Sequence, residues 1–250
     1  MRIRKETEEK GYQKIWNEIR ASGMQLLFPL RCPVCDGIVP GGEKICLGCM
    51  EGLKPLAAPW CMRCGKALTG QEKLCRDCRT REHRFLRGRA LYQYESAAPS
   101  IYRFKYGGRR EYADFFGEEV ARGLGSFIGH VKPEGLIPIP LHKKRERKRG
   151  YNQAGLLARA IGTYTGLPVY ENLLVRIKNT SPLKEQNPKE RQNNLKKAFK
   201  VIENDVKLKK VIVVDDIYTT GSTVDEAAGV LEAWGVEQVY FIALACGKGI

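Results

Sequence analysis

The sequence predicts an α/β protein: a mostly parallel sheet flanked by helices, preceded by a small tandem segment organised by metal. Three observations carry this. Val211-Ile-Val-Val214 is a continuous apolar, β-branched run, followed by two acids, a hydroxyl-and-glycine loop and an amphipathic helical pattern. A run buried on both faces and feeding a helix is the signature of a central parallel strand. Leu136-Ile-Pro-Ile-Pro140 repeats the theme earlier, as a strand followed by a basic loop and a helix. Eight of the nine cysteines fall into four C-x-x-C pairs between Cys32 and Cys78.

Composition sets the bounds. The chain has 250 residues, 43% hydrophobic and 28% charged, enough apolar mass for a packed core, which excludes full disorder. No stretch approaches the roughly 18 uncharged apolar residues of a membrane span. The first ten residues mix both charges without an apolar run, so they do not read as a secretory signal, and a cytoplasmic protein is expected. The formal net charge is +15, a surface that attracts polyanions: nucleic acid, phosphorylated metabolites or acidic headgroups.

Taken in order, residues 1–28 form the first part. Tyr12, Ile15, Trp16, Ile19, Leu26, Leu27 and Phe28 give an amphipathic helix expected to pack on a neighbour. Residues 29–82 form the tandem segment. Cys32, Cys35, Cys46 and Cys49 recur 29 residues later as Cys61, Cys64, Cys75 and Cys78, each set spaced C-x2-C-x10-C-x2-C. Two C-x-x-C knuckles complete a tetrahedral four-thiolate site, so the segment reads as two structural zinc sites with no open coordination position. Pairing in sequence order and an interleaved pairing of Cys32/Cys35 with Cys61/Cys64 both satisfy the spacing. Two such sites would lower the net charge from +15 to about +11, still basic. Cys246 stands alone in an apolar run and reads as an inert buried thiol.

Residues 83–250 form the main domain, with a hood expected over about 83–135 and a core over about 136–246. Residues 95–128 read as helical, with Phe116, Val120, Leu124 and Phe127 on one side. Within them Tyr102-Arg-Phe-Lys-Tyr-Gly-Gly-Arg-Arg110 mixes bases and aromatics. That mixture suits either stacking on single-stranded nucleic acid or packing of the aromatics into the core. After the strand at 136–140, His142–Arg149 carries six bases, Lys143, Lys144, Arg145, Arg147, Lys148 and Arg149, against Glu146. Gly150-Tyr-Asn-Gln153 then opens a helix with Ala154, Leu157, Ala158 and Ile161 on one face. Ligands of such sheets sit outside the C-terminal strand ends, where this basic loop can receive a pyrophosphate. Arg176–Lys200 is a second basic stretch, eight bases against two acids, of a length usual for functional loops.

The chemistry concentrates after Val214. Asp215 and Asp216 can hold vicinal hydroxyls directly or through Mg²⁺. Thr219, Thr220, Gly221, Ser222 and Thr223 lie at the start of a helix, with Thr223 and Glu226 in a capping-box pattern and Gly235 past its end. Backbone N–H groups, hydroxyls and a helix dipole suit a phosphate monoester. A phosphate and a diol at that spacing describe a ribose 5-phosphate. The Lys of a Walker loop is absent.

Val211–Thr223 resembles the motif by which type I phosphoribosyltransferases bind 5-phosphoribosyl 1-diphosphate (PRPP). The resemblance implies that Asp215 and Asp216 contact the ribose and that Thr219–Thr223 hold the 5-phosphate. It further implies that Lys143–Arg149 bind pyrophosphate and that the 176–200 loop closes over PRPP. Leu26–Cys35, the double four-cysteine segment, Phe104-Lys-Tyr-Gly107, Pro138–His142, Arg149–Gln153 and Val214–Thr223 together resemble the ComF family, over about residues 24 to 246. That resemblance implies a role in DNA uptake during natural transformation, with single-stranded DNA and other uptake proteins as partners. Glycosyl transfer from Mg²⁺-PRPP to an acceptor is the activity it suggests; a PRPP-responsive DNA-binding module is the other reading.

Overall fold

The computed structural model describes residues 29–39, 43–178, 198–202 and 205–247. The expected helix over 12–28 and residues 179–197 of the second basic stretch lie outside them. The chain divides into two compact units, residues 1–50 and 51–250.

The first unit contains one four-cysteine cluster and the second unit contains the other. The 29-residue repeat is structural as well as sequential. Cys32 N–H donates to the Gly37 carbonyl at 2.8 Å, and Cys61 N–H to the Lys66 carbonyl at 2.7 Å. Bridges pair Arg31 with Ile38 and Trp60 with Ala67. The turn needs one left-handed residue, which is Asp36 (φ 63°) in the first copy and Gly65 (φ 74°) in the second. Asp is one of the few L-residues that visit this region readily. The second knuckle sits on a short 3-10 turn, Leu47–Cys49, in the first copy and on a helix, α1 (Arg76–Thr80), in the second.

In the second unit four parallel strands form one sheet. They are β1 (Arg87–Gln93), β2 (Gly135–Pro138), β5 (Lys210–Tyr218) and β6 (Gln238–Cys246), in the spatial order β1-β6-β5-β2. A separate antiparallel hairpin, β3 (Leu174–Arg176) with β4 (Phe199–Val201), carries the second basic stretch. The remaining helices are α2 (Tyr94–Tyr106), α3 (Tyr112–Val131), α4 (Lys143–Arg149), α5 (Gln153–Thr165) and α6 (Ser222–Ala233).

The apolar β5 run is the centre of the core: Val211 through Val214 are all fully buried. Side chains alternate between faces. Val211 and Val213 share a cluster with Ala227, Leu231 and the sulfurs of Cys61, Cys64 and Cys75, so α6 and the second cysteine cluster cover that face. Ile212 and Val214 point to the opposite face, where α3 packs on α5. Ala154, Leu157, Ala158 and Ile161 of α5 are fully buried, as their spacing predicts. No helix among the described residues is long and apolar enough to cross a membrane.

Four local expectations are corrected. The stretch 95–128 is two helices, because Gly107 and Gly108 (φ 70°) end α2 before α3 begins at Tyr112. The basic segment 143–149 is a short helix, not a loop, started by the His142 side chain accepting from Lys144 N–H and stopped by left-handed Gly150. Strand β5 runs on through both acids to Tyr218, since they remain paired with Ala243 to Cys246 of β6. Helix α6 starts two residues earlier than the Thr223–Glu226 capping-box pattern suggests. Gly221 is its N-cap, without a side-chain cap, so Ser222 and Thr223 lie in its first turn.

Candidate functional site

Each cysteine set closes into a cluster whose four sulfurs all lie within 4.8 Å of one another: Cys32, Cys35, Cys46 and Cys49, and Cys61, Cys64, Cys75 and Cys78. Pairing is therefore in sequence order. Sulfur separations of 3.7 Å (Cys35–Cys46), 3.6 Å (Cys32–Cys46) and 3.6 Å (Cys64–Cys75) exceed any disulfide bond. They match the edge of about 3.8 Å for a sulfur tetrahedron around an ion with bonds of about 2.3 Å, the Zn–S length. The donor set fits zinc and closes the coordination sphere. Cys246 is buried, as expected, and burial pushes its thiol up to about 12.

The second candidate centre lies at the C-terminal end of β5. Asp215 and Asp216 occupy adjacent positions whose side chains leave the strand on opposite faces. Asp216 is 4% exposed and pairs at 2.8 Å with Lys105 Nζ, which projects from the last turn of α2. Asp215 Oδ1 accepts from Asp216 N–H at 2.8 Å. Burial pushes the Asp215 carboxyl up to about 8, and the charge of Asp216 adds to the effect while Lys105 opposes it. A half-buried and a buried carboxylate side by side, with the ion pair to Lys105 made by Asp216, form a donor set that fits a hard cation or a pair of hydroxyls.

The loop beyond Tyr218 turns through left-handed Gly221 (φ 82°) into α6. A Cβ at Gly221 would stand 2.7 Å from the Tyr218 hydroxyl and 3.0 Å from His83 Cε1, so this turn accepts no side chain. Thr220 Oγ1 and Ser222 Oγ lie 3.1 Å apart, Thr219 is exposed and Thr223 half-buried. The five loop residues thus gather hydroxyls and free helix N–H groups at the positive end of α6.

Strand β2 ends beside the acids, with Ile139 N–H donating to the Val214 carbonyl at 2.9 Å, and α4 follows it at that end. The six bases of α4 divide into two groups. Lys143, Lys144, Arg147 and Lys148 are exposed, and Lys143, Arg147, Glu146 and Gly150 line an open depression. Arg145 and Arg149 turn inward. The Arg149 guanidinium lies 4.8 Å over the Tyr106 ring and donates to Gln153 Oε1. Arg176, in β3, stacks 5.4 Å over Phe199. Burial draws its pKa down and Arg145 adds to this, while nearby Asp215 opposes it. Arg176 therefore senses the charges of both Arg145 and Asp215. His142 bridges to Arg176, tying α4 to the hairpin.

Sequence reasoning missed several contributors. Lys105 sits in an aromatic-basic stretch that offers no spacing signal for an acid 111 residues away. That stretch also divides by side chain. Phe104 is fully buried, whereas Tyr102 and Tyr106 are 60% and 62% exposed with ring centroids 5.1 Å apart. Arg81 and His83, which follow the second cysteine cluster, reach the Gly221 turn and α6. No motif marks either.

Comparison with known proteins agrees with this anatomy. Residues 23–79 match the double zinc ribbon domain family and residues 147–249 the phosphoribosyl transferase domain family. The chain is 32% identical over 233 residues to Competence protein F of Haemophilus influenzae, covering 89% of this chain and 99% of that protein. It is 32% identical over 225 residues to Competence protein ComFC of Bacillus subtilis, covering 81% and 88%. It is 28% identical over 215 residues to the DNA utilization protein YhgH of Escherichia coli K12, covering 82% and 92%. With its two four-cysteine clusters, parallel sheet and phosphoribosyl transferase domain, and with near full-length similarity to these proteins, the chain belongs to the ComF family of competence proteins.

Proposed function

We propose that this protein binds Mg²⁺-PRPP at the end of β5 and acts on single-stranded DNA during its uptake and processing. The observation that carries the reading is the acid pair at the end of β5, Asp215 half-buried and Asp216 buried, leading directly into the Gly221 turn and the N-terminus of α6. In this reading Asp215 and Asp216 accept hydrogen bonds from the ribose 2- and 3-hydroxyls. Thr219, Thr220, Gly221, Ser222 and Thr223 hold the 5-phosphate through hydroxyls and backbone N–H groups. The exposed bases Lys143, Lys144, Arg147 and Lys148 draw in the pyrophosphate, and inward-facing Arg145, Arg149 and Arg176 stabilise its charge as it departs. Magnesium would neutralise part of that pyrophosphate charge. Departure of pyrophosphate leaves an oxocarbenium-like centre at the anomeric carbon for an acceptor nucleophile. Zinc in both clusters requires reduced thiolates, which suits the cytoplasm.

DNA binding is supported by the +15 charge and by the exposed, neighbouring rings of Tyr102 and Tyr106, tilted 51° to each other, beside Arg149. Aromatic faces flanked by guanidinium groups hold successive bases of a single strand. The relatives' names, competence protein and DNA utilization protein, agree with such a partner, and other uptake proteins are further candidate partners. The test is fluorescence anisotropy with a single-stranded oligonucleotide over a salt series, with and without Mg²⁺-PRPP. Affinity should fall steeply with salt. Absent or salt-insensitive binding would remove DNA from the proposal and leave transfer to a small-molecule acceptor as the surviving function.

A further inference from the structure

The second cysteine cluster does more than cover one face of the sheet. A set of contacts runs from it, and from the residues that follow it, to the Gly221 turn and α6. Arg63, inside the Cys61–Cys64 knuckle, donates from Nη2 to the His83 carbonyl and from its own carbonyl accepts Gly88 N–H of β1 at 2.8 Å. His83 Nδ1 lies 2.8 Å from Asp225 Oδ2, and Arg84 N–H donates to Asp225 Oδ1 at 3.0 Å, so both carboxylate oxygens of the α6 first turn are held. The His83 ring, 1% exposed at its side chain, stacks on Phe85 and forms the wall against which Gly221 turns. Arg81, three residues beyond Cys78, donates from Nη1 to the Thr220 carbonyl and to Ser222 Oγ, both at 3.3 Å. Lys66, 4% exposed and paired with Asp77 at 2.6 Å, lies 5.8 Å over the Tyr218 ring on the strand side of the same turn.

These contacts share one consequence. The turn that would receive the phosphate is braced by residues whose own positions depend on a four-thiolate knuckle. Arg81 also sets a permanent cation 3.3 Å from a hydroxyl expected to bind the phosphate, which favours a dianion beside it. We propose that Arg81 and His83 are positioning residues of the phosphate site. Arg81 fixes the Thr220–Ser222 backbone, His83 fixes α6 through Asp225, and the metal of the Cys61–Cys78 cluster is thereby coupled to phosphate binding. The proposal rests on the reading of the Thr219–Thr223 loop as a phosphate site. Coupling is reciprocal: if the metal-ordered knuckle raises phosphate affinity, bound phosphate raises retention of that metal.

The experiment uses the zinc-loaded full chain and ribose 5-phosphate as probe, which engages the loop without the pyrophosphate subsite. Calorimetry should show Arg81→Ala binding ribose 5-phosphate at least tenfold more weakly, with magnesium pyrophosphate affinity unchanged and Arg81→Lys recovering part of the loss. Asp225→Asn, which weakens the hold of His83, should lose affinity in the same selective way. Zinc release to a chromophoric chelator should slow for one of the two ions when ribose 5-phosphate saturates the protein, and Arg81→Ala should abolish that protection. A general folding defect would instead weaken both ligands together and accelerate release of zinc without ligand, and it would overturn the proposal. Equal ribose 5-phosphate affinity in wild type and Arg81→Ala, or protection of neither zinc, would also overturn it while leaving the loop reading intact. Failure of the wild type to bind ribose 5-phosphate would sink the loop reading and the coupling with it.

Discussion

Replacing Asp215 by Asn should stabilise the protein while removing its ligand affinity. The Asp215 carboxyl is pushed from its ordinary 3.8 to about 8, first by burial and then by the charge of Asp216. An acid with a raised folded-state pKa binds its proton more tightly folded than unfolded, so its contribution to stability falls as pH rises from about 4 through about 8. At about 1.4 kcal/mol per pH unit, the cost is about 2 kcal/mol at pH 5.5 and about 5 kcal/mol at pH 8.5. Asp215 keeps part of its surface in water, so screening reduces both figures, and half of each is a reasonable expectation. Asn removes the charge and its Oδ1 can still accept from Asp216 N–H, now at 2.8 Å. Urea unfolding of the zinc-loaded protein at the two pH values should therefore show the advantage of Asp215→Asn growing by about 1.5 kcal/mol between them. Calorimetry of the same variant should show Mg²⁺-PRPP affinity lost. A variant less stable than wild type at pH 8.5, or an advantage independent of pH, would show that Asp215 carries no such raised pKa. Wild-type affinity for PRPP should in turn rise with pH up to about 8, with proton release, because the ionised pair is the binding form.

Gly221→Ala forces a Cβ into the left-handed region against the Tyr218 hydroxyl and His83; it should cost about 1–2 kcal/mol in urea unfolding and abolish ribose 5-phosphate binding. Lys105→Ala strands buried Asp216 without its half-buried cation and should destabilise by about 2–3 kcal/mol. It should also displace the rise of PRPP affinity to higher pH, as read from a calorimetric pH series, since the Lys105 charge favours the ionised form of Asp215. Tyr102→Ala with Tyr106→Ala should weaken oligonucleotide binding by about 1–3 kcal/mol per stacked base while leaving its salt slope unchanged. Lys143→Ala with Lys144→Ala should lower that slope if phosphates contact α4.

What could be read along the chain was whatever is local in it. The β-branched run, the acid pair and the turn into a helix are contiguous, and the structure keeps them contiguous. The cysteine repeat was equally plain, yet its pairing was not, because spacing alone does not distinguish two tetrahedra built in order from two that interleave. Strand β5 outruns its apolar part because pairing with β6 continues past Val214, a tertiary effect invisible to residue type. The start of α6 at Ser222 follows from left-handed Gly221, whereas the capping-box pattern, which would put the N-cap two residues later at Thr223, is a weaker local signal. Lys105, Arg81 and His83 reach the site from 111 or more residues away and carry no motif; only packing of α2 and the second cysteine cluster on the sheet brings them there. The aromatic-basic stretch at 102–110 was ambiguous because both readings hold, Phe104 inward and the two tyrosines outward.

The decisive measurement is calorimetric titration of Mg²⁺-PRPP into the zinc-loaded full chain, beside a variant with Asp215→Ala and Asp216→Ala. A PRPP site at the end of β5 gives saturable one-to-one binding to the wild type and none to the variant, with an affinity that shifts when a single-stranded oligonucleotide is present. Absence of binding to the wild type in either condition, or equal binding to both proteins, would contradict it.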